Sequence, residues 1–119
     1  MNKENLYVSD DGDSYAVLVS PGWGAGWSTW NNPQLAYDKR VVELFLSGYR
    51  ITDAQNGHDA GDELMQRWGY SKPYWGGWNH IRVEWIPFGV RWRITEYDGN
   101  ESIEYLDVDK YTCFEKRGN

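Results

Sequence analysis

The sequence predicts an α+β fold: an antiparallel sheet of about five strands with two helices packed on one face, in one domain over residues 1–119. Three observations predict it. Short apolar runs of period two are separated by Asp/Gly/Asn turns. Two longer stretches place apolar residues at three- and four-residue spacing behind helix-start signals. The chain is also long enough to enclose a single core without disulfides.

Taken in order, Leu6-Tyr7-Val8 and Ser14 to Val19 read as two strands around the turn Asp10-Asp11-Gly12-Asp13. The second is apolar on both faces, with Tyr15, Val17 and Val19 on one and Ala16 and Leu18 on the other, which marks a central strand. Pro21 ends it, having no N–H for a ladder. Next comes Ser20-Pro21-Gly22-Trp23-Gly24-Ala25-Gly26-Trp27-Ser28-Thr29-Trp30, a loop that alternates open backbone with wide side chains.

Asn32 as N-cap and Pro33 in the first turn start a helix expected over 33–47, with Gly48 as its stop. Thr52 to Gln55 is a capping box, and Ala54, Gly57, His58, Gly61, Leu64, Met65 and Trp68 recur at helical spacing up to Gly69. Gly57 and Gly61 weaken this second helix, so they imply a close approach by a strand or by the glycine–tryptophan loop. A second aromatic–glycine patch, Tyr74-Trp75-Gly76-Gly77-Trp78, precedes three strands. His80 to Ile86 puts Ile81, Val83 and Trp85 on one face. Val90 to Tyr97 turns Val90, Trp92 and Ile94 inward and Arg91, Arg93 and Thr95 outward. Asp98-Gly99-Asn100 then makes a hairpin turn into Ser102 to Asp107. Tyr111 to Phe114 suits a short closing strand.

Eight Trp, nine Tyr and three Phe occupy places that Leu and Ile usually take, so large flat surfaces must serve the core, an interface, or both. Net charge is −6, and the six acids of Glu96 to Asp109, with no Lys or Arg among them, account for all of it. Such a chain is a poor binder of nucleic-acid backbones. It suits either a solvated strand edge or a basic groove on another protein. The lone Cys113 excludes an internal disulfide and a cysteine zinc site and fits a reducing cytosol. Neither a secretory signal nor a membrane-span-length apolar run is visible.

The glycine–tryptophan loop follows a strand and precedes a helix, the setting of phosphate-cradling loops, but it lacks the Gly-Lys-Ser/Thr that would make it a P-loop. Three readings stay open. Loop amides can hold phosphates, assisted by Arg91 or Arg93; Trp23, Trp27 and Trp30 can stack on a base or a partner side chain; or the tryptophans simply cover the sheet. Arg82, Arg91 and Arg93 can equally pair with Glu84 and Glu104. His58 and Asp62 stand at i, i+4, but two ligands are not a metal site. The three aspartates before Ser14 lack the spacing of a calcium loop. Ser20, Ser28 and Cys113 have no general base at a recognisable offset, so neither catalytic machinery nor a cofactor is expected.

The runs Val19 to Asn31 and Trp92 to Ile103 resemble segments of small proteins of bacteriophages and other mobile elements, over about a quarter of the chain. The resemblance implies an anti-defence protein, such as an anti-CRISPR inhibitor, acting in the cytoplasm of a bacterial host. The expected function is non-enzymatic blocking of a defence protein, with Glu96, Asp98, Glu101, Glu104 and Asp107 against a basic groove and aromatic anchors beside them. The alternative is sequestration of a signalling nucleotide by Trp23, Trp27, Trp30, Gly24, Gly26, Ser28, Arg91 and Arg93. An exposed aromatic patch also suits a homodimer seam.

Overall fold

Ser14–Val19 (β1) organises the chain because both of its faces are apolar, so it must be covered twice. The computed structural model describes residues 5–51, 59–71, 73–105 and 112–115. β1 pairs antiparallel with Arg82–Pro87 (β2), from Ser14 opposite Pro87 to Val19 opposite Arg82. Trp92–Tyr97 (β3) and Asn100–Tyr105 (β4) form a separate antiparallel hairpin. The expected single sheet of about five strands is therefore two two-stranded sheets. The reason lies in β1, whose second apolar face is met by another layer rather than by in-plane neighbours. Tyr15, Val17 and Val19 pack with Ile86 and Trp92, with Ile94 and Ile103 alongside, while Ala16 and Leu18 face the helices.

The two outer strands shrink to single bridges. Val8 pairs with Tyr15, and Thr112 with Trp92. The expected helix over 33–47 breaks in two. Asn32 caps a 3-10 turn at Pro33–Ala36, accepting from Gln34 N, as its sequence position suggests. Asp38 then caps a new start, Lys39–Leu46 (α1), by accepting from Arg40 N at 2.9 Å. Its carboxylate also holds the Arg40 guanidinium and the Tyr70 hydroxyl (2.7 Å), so it is buried without being orphaned.

Asp59–Arg67 (α2) lies within the second expected helix, whose capping box, Gly57 and His58 fall outside the described residues. Gly61 does provide a close approach, but to the rings of Tyr49 and Trp75 and not to a strand or the Ser20–Trp30 loop as expected. A Cβ there would stand 2.7 Å from Tyr49 Oη and 2.8 Å from Trp75 Cζ2. Gly48 and Gly69 take the left-handed conformation after each helix, as expected. Val41, Val42 and Phe45 of α1 and Met65 of α2 join Ala16 and Leu18 in one cluster, so both helices cover the same face of β1.

Candidate recognition surface

Gly99 begins the site. The β3–β4 turn has Asp98 at φ 52° and Gly99 at φ 87°, the positive pair that a tight two-residue hairpin demands. The missing Cβ at Gly99 also makes room for the glycine–tryptophan loop, since a Cβ would collide with Ala25 N. Gly24 N donates to Asp98 O at 2.6 Å, and the hairpin tip is docked on the loop.

Two residues further on, Glu101 enters the loop completely. Its carboxylate is buried and accepts from Ser20 N (2.9 Å), Trp27 N (2.7 Å), Thr29 N (3.1 Å) and the Thr29 hydroxyl, while its own N–H donates to Ser20 O. The loop is thus an anion cradle, as its glycine-rich context suggested, but the anion is a side chain of the same protein. This corrects two expectations. Those amides are not open to a ligand phosphate, and Glu101 is no part of a partner-facing acidic ribbon.

Trp27 corrects a third, because it is wholly buried. Its ring packs against Trp75 (centroids 5.9 Å) and Trp78 (5.1 Å), and its Nε1 finds no acceptor among the described residues. Ser28 is buried beside it. Gly26 supports the Trp30 ring, whose Cδ1 would be 2.8 Å from an added Cβ. Gly77 lies under the same loop, its missing Cβ being replaced by Gly26 O and Ser20 Oγ. The second aromatic–glycine patch therefore packs against the first, with Gly26 and Gly77 as the points of close approach, whereas Gly22 and Gly24 face open space.

The remaining rings are wet. Trp23 (65% exposed) meets Tyr97 (73%) edge-to-face at 5.6 Å. Trp30 (42%) meets Tyr74 (44%) at 5.5 Å and donates from Nε1 to Glu96 at 3.2 Å. Glu96 also accepts from Gly99 N at 2.7 Å, and that amide, followed by the indole N–H, holds its carboxyl below the usual range. Asp98 is exposed at the hairpin tip; Asp107 lies outside the described residues. Tyr97 and Tyr74 are additions to the expected site residues. The signal available for Tyr97 was its place beside a hairpin turn, where a large side chain has little to pack on.

The arginines take the paired reading. Arg93 Nε donates to Glu104 across the hairpin at 2.7 Å, and Arg82 Nε to Glu84 along β2 at 2.6 Å. Arg91 is half-buried and also engaged. Beside the loop lies a cleft of about 370 Å³, between Ser28, Thr29 and Tyr37 on one wall and Trp92, Arg93 and Ile94 on the other. His80 is exposed, and Asp62 is buried, where it accepts from Trp75 Nε1. Among the described residues no group of three His, Cys, Asp or Glu side chains could hold a metal ion, and no helix is long and apolar enough to cross a membrane.

Fold and surface together define a small α+β protein whose hairpin tip is pinned by a buried carboxylate and edged with exposed aromatic rings. No family model, no curated protein and no solved structure matches the chain.

Proposed function

We propose that this is a non-enzymatic binding protein that docks Trp23, Tyr97, Trp30 and Tyr74 onto a basic face of a partner protein. The carrying observation is that these large rings stay wet, Trp23 and Trp30 on a loop held by Glu101, with Tyr97 of β3 and Tyr74 packed edge-on or tilted against them. Exposed Trp and Tyr on a pre-organised backbone are the usual anchors of an interface, since little ordering entropy remains to be lost on binding. Glu96 and Asp98 lie beside them and favour Arg or Lys on the partner, by charge and by cation–π contact. Following the resemblance, the partner is a bacterial defence protein that the chain blocks. Among the described residues, the acidic contribution narrows from a ribbon to these two, with Glu104 shared with Arg93.

The test is affinity capture from a bacterial lysate by the wild type and by Trp23→Ala/Tyr97→Ala, with thermal melts of both. The reading expects a protein retained by the wild type and lost from the variant, at an unchanged melting temperature and with weaker capture at high salt. Equal capture by both proteins would remove these rings from the function.

A second reading rests on the cleft. Its volume falls within the range of small-molecule sites, and Tyr37 and Arg93 on its walls offer a ring and a guanidinium. Under it, a sequestered nucleotide sits there, not among the loop amides. A nucleotide panel would then contain a compound that raises the melting temperature of the wild type and not of Arg93→Ala; a panel without a hit removes it.

A further inference from the structure

We propose that the outer edge of β2 joins a second copy of the same chain, giving a symmetric dimer with a continuous four-stranded sheet. The hydrogen bonding of β1 fixes which way β2 faces. Ala16 N donates to Tyr7 O, away from β2, so Tyr15, Val17 and Val19 direct their main-chain groups at Ile86, Glu84 and Arg82. Alternation then turns the N–H and C=O of Val83 and Trp85 outward, where they make no hydrogen bond to any described residue across that edge. Pro87 falls on the same outward side and has no N–H to leave unpaired, as suits an edge strand.

Side chains choose the occupant. Antiparallel pairing of β2 with its own copy admits few registers that keep outward groups opposed. One sets Arg82 against Arg82, another Glu84 against Glu84, and a third puts Pro87, which cannot donate, opposite Val83. The remaining one centres the two-fold axis on Val83. There Arg82 faces Glu84 of the second copy, Glu84 faces its Arg82, and Trp85 N–H reaches the carbonyl of its Ile81. The half-exposed Trp85 ring is covered in the process. Arg82 and Glu84 already lie within 2.6 Å of each other along the strand, on one face, so both partners of each new pair are in place. Directly opposed unlike charges stabilise a strand pair and like charges oppose it. The edge is therefore complementary to itself in this register.

Sedimentation of the wild type across micromolar to millimolar concentrations should show a reversible dimer, weakened by salt. Arg82→Glu and Glu84→Arg should each weaken it at least about tenfold, because either change sets like charges opposite one another in both symmetric pairs. An equimolar mixture of these two variants should recover a heterodimer, since one chain then offers two acids on this edge and the other two bases. Mixing cannot repair an intrachain ion pair, so recovery separates association from folding. The double reversal Arg82→Glu/Glu84→Arg keeps both kinds of pair and should dimerise like the wild type, which guards against misfolding of a single variant. A wild type that stays monomeric, single reversals that dimerise normally, or a mixture that stays monomeric would each overturn the proposal.

Discussion

Glu101 and Glu104 sit three residues apart in the same acidic run, and the structure gives them opposite work. Glu104 shares an ion pair with Arg93 at the surface, whereas Glu101 is buried and satisfies three amides and a hydroxyl of the glycine–tryptophan loop. Replacing Glu101 by Gln leaves one acceptor oxygen where two were used and turns an NH2 toward a donor. We expect a loss of about 2–4 kcal/mol in urea unfolding, since bonds to a charged acceptor and stranded buried donors are each worth one to three. Glu104→Gln should cost less than about 1 kcal/mol, as exposed pairs do. Equal effects at the two positions would mean that the buried clamp contributes no more than a surface charge. Gly99 gives a second contrast at this scale. Ala at Gly24 meets only the strain of positive φ, roughly 1–2 kcal/mol. Ala at Gly99 adds a collision with the loop main chain at Ala25 N, so Gly99→Ala should unfold at clearly lower denaturant than Gly24→Ala.

At the scale of elements, strand parity was legible. Period two placed Trp92 and Ile94 inward and Arg93 outward, and the Asp98-Gly99 turn followed from residue types alone. The same parity extends to Glu96 with Trp92 and Ile94, and the register sets Glu101 opposite Glu96 on that inner face. The clamp was therefore readable in principle; charge at Glu101 argued for solvent and concealed it. The break at Tyr37-Asp38 was less accessible, because Asp38 caps α1 only with Tyr70 and Arg40 closing over its carboxylate, and Tyr70 is remote in sequence. Burial alone would raise the Asp38 pKa, but the hydrogen bonds from Arg40 and Tyr70 outweigh it and hold the carboxyl below the usual range. A depressed folded-state pKa contributes stability that is fully present above the unfolded carboxyl value and is lost as pH falls through the folded one. Wild-type stability should thus decline on acidification below about pH 5 more steeply than that of Asp38→Asn, which lacks the titrating group. Parallel pH profiles from urea midpoints would show that the cap does not carry this linkage.

For the whole molecule, the sequence could count aromatic rings but not sort them, because the same residue types fill cores and anchor interfaces. Trp27, Trp75 and Trp78 went to the helical side of β1, Trp92 to the other, and Trp23 and Trp30 to water. Nor could it separate the two sheets, since stacking one two-stranded sheet on another uses the same alternation as pairing within a plane. What joins the halves is β1 itself, which gives Ala16 and Leu18 to one cluster and Tyr15, Val17 and Val19 to the other. A strand shared in this way should couple them: neither cluster can lose its cover without exposing the strand that supports its neighbour. Leu18→Ala and Val17→Ala open opposite clusters and should cost about 2–5 and 1–3 kcal/mol respectively. Each should nevertheless leave a single unfolding transition, with tryptophan fluorescence and far-ultraviolet circular dichroism changing together. If Val17→Ala instead released the β3–β4 hairpin first, the two probes would separate, and Tyr97 would stand on an independently folding unit apart from Trp23.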